Sequence, residues 1–571
     1  MARRIPRTIK FTAPVSRVSS RYKADLSAWW LRSGTTMPFH TAQANIPMGS
    51  ARLGTEHITG DFQRFGQGVR ATSAKLWSSA LPSERFARWL HGFEWLYDLH
   101  AVGSAEARNS ARSYVDSWVD AFDTYHTFAW QSDLLAKRVL AWGLCWSPTL
   151  NTDNLSDLAE RRRRCYMRQV HYLRRTHRLL SNGVPQIEGY AALLAASVRA
   201  DNARAFDSAA LRLEGALSEQ ILPDGGHISR SPEKSLEVYM TLSALDSLLE
   251  VRGRPAPPAM SRAMDRIVPM LAFFSHTDGA LASFHGSGVG DARALSSALS
   301  SSASKPFAFA PHSGYQRLQR GDTVIVMDVA PPAPFPYDTG AHISPLALEM
   351  SVQSGRLVVS CGFSDEQPLS WRSAVRGIAA HSTVDIIGSD ASRIEPSADG
   401  DDEKLHIRRD ASPMKADRRE AEPGVVVEGV HQGYVSSAGL MHRRRLFLSQ
   451  DGRDVRGEDT LSVQDKGRSQ LASDQSVAVR FHLHPDVNAT VSADGTHIRL
   501  AIGSEKWAFL AGAPNCQFRL EPSAYLSEGS QPSKTKQIVL SGKVESLLDS
   551  PIRWAFRRVS PPGVRASDGD V

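Results

Sequence analysis

The sequence predicts an α+β multidomain protein in which an all-α region precedes a large antiparallel β-sandwich. Apolar residues recur at helical spacing from about Leu76 to Leu271, and β-branched residues alternate with polar ones after Ser313. The 571-residue chain, 42% of it hydrophobic, has enough apolar material for more than one core. We therefore expect at least two domains.

The first region is predicted to be helical from its shared apolar faces. Phe93, Leu96 and Tyr97 lie on one such face. Breaks such as LLSNGVP, ILPDGG and RGRPAPP separate these segments, and their Asp, Ser and Asn residues are suited to cap helices. We expect a domain of helical hairpins over residues 71–310, with residues 1–70 as an N-terminal extension packed on it.

The second region is predicted to be strand-rich. In VAVRFHLHP, Val477 and Val479 point one way, whereas His482 and His484 point the other and are expected to be solvated. RLVVSCG, HIRLAIG and WAFLAG alternate similarly between turn signals such as SADG and SQDG. The pattern predicts a β-sandwich over residues 311–560 and a flexible tail over residues 561–571.

Charge and composition exclude several function classes. Lys and Arg number 67 against 60 Asp and Glu, a formal charge of +7 with both signs interspersed, so we expect no nucleic-acid partner. No apolar run is long enough to span a membrane. The arginine-rich runs at 161–164 and 442–445 are expected to be solvated faces, with contact to an acidic glycan as the alternative. The sequence indicates no oligomeric state.

The cysteines and the N-terminal segment indicate the cellular compartment in which the protein is expected. The four cysteines form no CxxC pair, which predicts reduced thiols. The basic segment MARRIPRTIK is not followed by the apolar stretch of a signal peptide, so a cytoplasmic location is expected.

The segments GYQRL, AHISPLALEM, RLVVSCG and WRSAVRGIAAHSTVDI follow one another between Ser313 and Ile387. Together with the earlier GFEWLYDL and LPDGGHISRSP, they resemble the heparinase II/III family of polysaccharide lyases. The resemblance implies an incomplete (α/α) toroid capped by the β-sandwich. It also implies a carbon–oxygen lyase that cleaves a uronate-containing polysaccharide, such as a glycosaminoglycan, by β-elimination. A periplasmic location would fit the family if the start of the chain is misassigned.

Several positions depart from the family's pattern. The usual Asn-His pair aligns with Val184 and Pro185, and the usual tyrosine is missing after the Ser-Pro dipeptide at 231–232. At the entry to the sandwich the family has two histidines, and Gly340 stands at the position of one of them here. The family's metal-binding aspartate aligns with Ser360. Three interpretations stay open: a divergent lyase, a catalytically degenerate protein that binds acidic glycans, and a hydrolase that uses carboxylates in the toroid cleft.

The resemblance implies catalytic roles for His227, His342 and His381. In DGGHISRSP, His227 would transfer a proton and Arg230 would hold a substrate carboxylate through a bidentate contact. The alternative is a structural loop in which His227 satisfies a backbone group. His342 and His381 precede segments expected to be neighbouring strands, and a structural hydrogen-bonded pair is their alternative role.

Two further residues are predicted to bind substrate, and zinc is considered. Tyr337 in PPAPFPYDTG would stack on a sugar, unless it packs within a proline-rich turn, and Arg376 in WRSAVRG would be a second substrate ligand. No cofactor is expected to be required. Because Ser360 replaces the aspartate, His342 and His381 are only weak zinc candidates, with Cys361 as the first candidate for the missing ligand.

Overall fold

The described part of the chain divides into two compact units in this computed structural model. The first unit is Met1–Ile221 with Glu237–Asp265, and the second is Leu222–Leu236 with Arg266–Val571. The predicted tail at 561–571 and residues 1–42 of the predicted extension lie outside the described residues. The domain boundary predicted at residue 310 stays a prediction. The structure describes residues 43–151, 157–300, 306–389, 391–396, 405–408, 414–512, 516–526 and 531–559.

Helices dominate the chain as far as Ser300. Several begin at a polar cap: the side chains of Ser83, Ser104 and Asn202 each accept a hydrogen bond from a backbone N–H of the first turn. None of the helices in the described ranges combines the length and apolar character needed to cross a membrane. The α-helices before the strand region are Ala51–Ile58, Ser73–Leu76, Glu84–Gly92, Trp95–Val102, Ala105–Phe122, Ser132–Leu144, Asp157–Thr176, Val184–Arg199, Ala203–Gln220, Pro232–Val251, Pro258–Phe274 and Ala292–Ser300.

An aromatic core holds the first unit together. Trp95, Trp118 and Trp142 are fully buried, and Phe93 contacts all three rings at centroid distances of 5.1 to 5.7 Å. Burial of rings of this size makes a large contribution to the hydrophobic free energy of folding. These tryptophans are core residues and are not platforms for a sugar.

Strands make up most of the remaining chain. A small hairpin of β1 and β2 lies between the helices Ala51–Ile58 and Ser73–Leu76, and the other strands follow Ser300. Their bounds are β1 Asp61–Arg64, β2 Gln67–Arg70, β3 Phe309–Ala310, β4 Tyr315–Arg320, β5 Thr323–Asp328, β6 Leu348–Val352, β7 Gly355–Val359, β8 Val384–Ile386, β9 Arg393–Pro396, β10 Leu405–Arg408, β11 Met414–Ala421, β12 Gly424–His431, β13 Leu440–Ser449, β14 Asp454–Val463, β15 Ser476–Leu483, β16 Asn488–Val491, β17 His497–Ile502, β18 Glu505–Gly512, β19 Gln517–Tyr525, β20 Ser533–Lys543 and β21 Ile552–Arg558. Short helices lie between them at Leu369–Ala374, Val435–Ala438, Lys466–Leu471 and Val544–Leu547.

Two antiparallel sheets form the sandwich. One has eight strands in the order β11-β12-β13-β14-β21-β18-β17-β16. The other has the order β19-β20-β15-β7-β6-β5-β4-β3, with β8 paired to β15. Their inward residues share one apolar core that includes Phe481, Phe509, Trp554 and Phe556. The alternation in the sequence therefore predicts the strands correctly.

Candidate functional site

The loop LPDGGHISRSP is a tight structural turn. Gly225 has a φ of 92°, and a Cβ there would lie 1.9 Å from the carbonyl oxygen of Arg266, so only glycine fits. The carboxylate of Asp224 accepts hydrogen bonds from the backbone N–H groups of His312 and Ser313, at 2.9 and 2.7 Å. The loop is thereby fixed to the segment that enters β4.

His227 is hydrogen-bonded to this loop and to the helix Pro232–Val251 that follows it. The imidazole Nδ1 of His227 accepts from the backbone N–H of Ser229 at 3.1 Å, and the backbone N–H of His227 donates to the hydroxyl of Ser235 at 3.1 Å. The side chain is 2% exposed, and burial together with the nearby charge of Lys234 lowers the pKa of His227 to about 3. The geometry matches the structural alternative, in which the imidazole satisfies a backbone group.

Arg230 uses all five of its guanidinium N–H groups inside the second unit. Nε donates to the Ser313 carbonyl at 2.8 Å, and Nη2 donates to the Gly314 carbonyl at 3.0 Å and to Asp328. Nη1 donates to the carbonyls of Ala330 and Pro331 at 2.9 and 2.8 Å. The arginine therefore joins both ends of the β4–β5 hairpin, and the predicted contact with a substrate carboxylate has no donor left in this arrangement.

Two histidines, His285 and His342, extend the hydrogen-bond network from the carboxylate of Asp328. His285 Nδ1 accepts from the backbone N–H of His342 at 3.1 Å, so a neutral His285 carries its proton on Nε2 and donates to Asp328 at 3.1 Å. His342 Nε2 in turn accepts from the backbone N–H of Gly286 at 3.0 Å. The two loops are thus joined in both directions through imidazole rings.

His381 lies beside His342, as the sequence predicts. Their ring centroids are 5.1 Å apart, and His381 Nδ1 is 3.0 Å from the hydroxyl of Ser360. Both side chains are 1% exposed. Burial lowers the pKa of His342 well below its usual range and that of His381 to about 3, so both are neutral at pH 7.

Asp328 is ionised although it is buried, whereas the buried histidines are neutral. Burial alone would raise its pKa, but the guanidinium of Arg230 and the hydrogen bond from His285 lower it to about 2. The carboxylate is consequently ionised and paired with Arg230. One buried ion pair and three neutral imidazoles make up this cluster, which we call the Arg230 cluster: Arg230, His285, Asp328, His342 and His381.

The other two predicted substrate ligands, Arg376 and Tyr337, are buried. Arg376 is 5% exposed and donates to the carbonyls of Ala341, Asp338 and Leu405 at 2.8, 3.2 and 3.0 Å. Tyr337 is 8% exposed, and its backbone N–H closes a turn onto Pro334 at 2.7 Å. Both predicted roles would need side chains that this conformation buries.

Zinc does not fit the donor set around His342 and His381. The third group is the Ser360 hydroxyl, and Cys361 points elsewhere: its Sγ is 3.5 Å from His482 Nδ1. Burial also raises the pKa of the Cys361 thiol to about 11, so it is not a thiolate at neutral pH. In the described residues no group of three or more His, Cys, Asp or Glu side chains could hold a metal ion.

His482 corrects an expectation about its strand face. It was predicted to be solvated, but its side chain is 2% exposed, with Nε2 donating to the Ala379 carbonyl at 3.0 Å. The alternation along β15 is as predicted, but chain from the β7–β8 connection covers the second face. The run at 442–445 is only half solvated, because His442 and Arg444 are buried while Arg443 and Arg445 point outward.

Sequence reasoning missed His285, Asp328 and Glu349. Asp328 is a charged residue in the otherwise apolar run TVIVMDV, and such a charge in a buried strand predicts a buried partner. Glu349 is also strand-borne; it accepts from His276 Nε2 at 3.1 Å and from the Ser360 N–H at 3.2 Å. His285 lies in FHGSGVGD, whose sequence pattern gives no indication of a histidine cluster.

The first unit places acidic side chains around Lys137. The Nζ of Lys137 is 3.2 Å from Glu94 and 3.7 Å from Glu188. Desolvation lowers its pKa, but the carboxylates of Glu188, Glu94 and Glu237 outweigh that effect and raise the pKa above its usual value. Lys137 is therefore held as a cation by the carboxylates around it.

The second unit matches a known family in sequence. Residues 302–556 match the family model described as heparinase II/III-like, C-terminal. A relative, FtsZ-localized protein C from Caulobacter vibrioides (strain NA1000 / CB15N), is 34% identical over 492 residues, which cover 84% of this chain and 83% of the relative. The chain belongs to the heparinase II/III-like family.

Solved structures agree on the fold. The crystal structure of heparinase III superposes with a TM-score of 0.67 at 13% identity, covering 95% of this chain and 91% of that one. A mutant of heparan sulfate lyase HepC from Pedobacter heparinus superposes with a TM-score of 0.60 at 15% identity, covering 97% and 91%. The predicted fold class, an (α/α) toroid followed by an antiparallel β-sandwich, is confirmed.

Proposed function

We propose that this chain is a binding protein built on the heparinase fold, that it does not catalyse β-elimination, and that it localises with FtsZ. The observation that carries the proposal is Arg230, whose five N–H groups are all bound within the second unit. β-Elimination requires neutralisation of the uronate carboxylate as charge develops. The residue predicted to supply that neutralisation is committed to Asp328 and four carbonyls.

The candidate bases support the same conclusion. A general base must come within about 3 Å of the proton that it removes. His227, His342 and His381 are each 1–2% exposed, and burial lowers the pKa of each far below neutral pH. Such groups are poorly placed and poorly matched for proton transfer from a sugar.

The relative supports the cellular part of the proposal. FtsZ-localized protein C is similar over most of both chains, and its name records a location with FtsZ. We infer that this chain shares that location, and we expect the full chain to co-sediment with FtsZ polymers. The control is FtsZ kept unpolymerised under otherwise identical conditions. Full-length protein that stays in the supernatant in both samples, and a fluorescent fusion that is diffuse in cells with FtsZ rings, would contradict the proposal.

The second candidate is a carbon–oxygen lyase for a uronate-containing polysaccharide, which the family match and the fold favour. In that case His227, His342 and His381 would transfer protons after a rearrangement that exposes them. Binding of an acidic glycan such as a glycosaminoglycan without cleavage is the intermediate case. Two assays with the same glycans separate these cases: an absorbance screen for the unsaturated uronate product, and calorimetric titration. A lyase forms the product, a glycan-binding protein binds without forming it, and a protein with neither function gives no signal in either assay.

A further inference from the structure

The outer face of the eight-stranded sheet carries an open groove with a volume of about 430 Å³. Strands β13, β14, β18 and β21 contribute its lining. On β21, Arg553, Ala555 and Arg557 point outward because Trp554 and Phe556 pack into the core. The groove is therefore formed by outward residues of a rigid sheet.

Strand register arranges the lining in three rows. The first and third rows consist of charged residues, and the middle row combines apolar residues with Arg456. Arg456, in the middle row, lies 5.5 Å from the centroid of the Phe447 ring. The first row is Arg445, Glu458 and Arg553; the middle row is Phe447, Arg456, Ala555 and Leu510; the third is Asp454 and Arg557.

Positive charge exceeds negative charge on this face. The side chains of Arg445, Arg456, Arg553 and Arg557 are 49% to 66% exposed, and Arg443 lies beside them at 37%. Three carboxylates face these five guanidinium groups: Glu428, Asp454 and Glu458. The excess is two positive charges. Each guanidinium has five N–H donors, whereas Asp454 engages three guanidinium nitrogens and Glu428 and Glu458 engage two each. Donors therefore remain for a ligand.

We propose that this groove binds an extended acidic peptide of a partner protein, in which two carboxylates flank an apolar residue at alternate positions. Arg553 and Arg557 are four residues apart on one strand, which is about 13 Å. Side chains on one face of an extended peptide repeat about every 6.6 Å, so an acid–x–apolar–x–acid segment places its carboxylates on the two arginines. Its apolar residue then lies over Ala555 and Leu510.

The lining favours a peptide over a glycan. Sugar rings bind open aromatic faces, but the guanidinium of Arg456 occupies the ring face of Phe447, and Trp554 is only 3% exposed. Leu510 and Ala555 give the groove an aliphatic floor, and all of its cations are arginines, whose planar forks match carboxylates. The proposal stands whether or not the chain localises with FtsZ.

The test is fluorescence anisotropy with the full chain and a labelled nine-residue peptide. The probe has Glu, Leu and Glu at alternate positions, with Ser and Thr elsewhere; a second peptide has the same composition with both Glu residues adjacent. We expect the alternating peptide to bind about tenfold more tightly than the adjacent one, since only it reaches both arginines. Arg553→Glu with Arg557→Glu should abolish that preference, whereas Arg519→Glu, on the exposed part of β19, should preserve it.

A further variant tests the floor without reversing charge. Leu510→Ala should weaken binding of the Leu peptide several-fold and leave a peptide with Ala at its centre unchanged, with melting temperatures checked for every variant. Equal binding of the alternating and adjacent peptides, or none of either, would overturn the proposal. So would tighter binding of a heparin oligosaccharide or of anionic vesicles that is lost in the Arg553→Glu, Arg557→Glu variant.

Discussion

We expect the Arg230→Ala substitution to destabilise the second unit by about 3–5 kcal/mol, because it leaves the carboxylate of Asp328 buried without its cation. The side chain of Arg230 is 5% exposed and that of Asp328 is 1% exposed. The same substitution also removes the donors to four backbone carbonyls. Arg230 has a φ of 63°, but alanine is also a non-glycine residue, so the backbone cost is unchanged and the effect belongs to the side chain.

The measurement is urea unfolding with circular dichroism as the readout, supported by the melting temperature. A loss of this size lowers the melting temperature on the order of 10 °C. Arg519→Ala is the matched control, because an exposed arginine of the same fold changes stability by under about 0.5 kcal/mol. Arg230→Lys should fall between the two, since one ammonium keeps the charge but cannot reach all five acceptors.

A second mutant of the pair makes the reasoning refutable. In the Arg230→Ala background, Asp328→Asn removes the unpaired charge, so the double variant should lose less stability than the sum of the two single variants. If Arg230→Ala keeps the wild-type urea midpoint but weakens binding of an acidic glycan, Arg230 is a substrate ligand and the structural interpretation fails.

Three further predictions follow from the same second unit. In the folded protein His227 and His381 have pKa values of about 3, whereas the usual value is about 6.5. Between about pH 6.5 and pH 3 the unfolded state therefore binds more protons than the folded state, and the free energy of unfolding falls as the pH is lowered through this range. Urea unfolding at pH 5 rather than pH 7 should show a loss of roughly 2 kcal/mol for each, and His227→Gln should reduce this pH dependence. The purified protein should hold less than one equivalent of zinc by mass spectrometry, and a chelator should leave its melting temperature unchanged; stoichiometric zinc after dialysis would contradict the donor-set argument. Gly225→Ala should cost at least about 2 kcal/mol in urea unfolding, because a Cβ there would lie 1.9 Å from the Arg266 carbonyl oxygen; a wild-type midpoint would refute the turn geometry.

The order of helices and strands could be predicted from the sequence because periodicity reports which face of an element is buried. The alternation in VAVRFHLHP gives the facing of β15 correctly. It cannot show that chain from outside that strand covers His482, since such coverage depends on contacts between residues far apart in sequence. The same limit applies to Arg443 and Arg445, whose outward facing follows from alternation but whose groove requires β18 and β21.

The candidate site was only partly predictable. The sequence places His342 and His381 before strands expected to be neighbours, and the structure brings their rings together. The strands that follow them are not paired with each other, because β6 pairs with β5 and β7 whereas β8 pairs with β15. The burial of Arg230 depends on Asp328, about a hundred residues further along the chain, and no local pattern joins the two. A sequence motif predicts which residue types lie in a loop, whereas availability to a substrate is decided by the tertiary partners that those side chains find.

The most direct test of the central claim is the unsaturated-uronate absorbance screen on the wild-type protein. The panel comprises heparan sulfate, hyaluronan, chondroitin, alginate and bacterial exopolysaccharides, at several pH values, with and without zinc. The non-catalytic account predicts no growth of the chromophore with any of them, while a heparinase run in parallel on heparan sulfate produces it. Sustained chromophore formation that His342→Ala reduces by about 10²-fold or more, with an unchanged melting temperature, would contradict the account and establish the chain as a lyase.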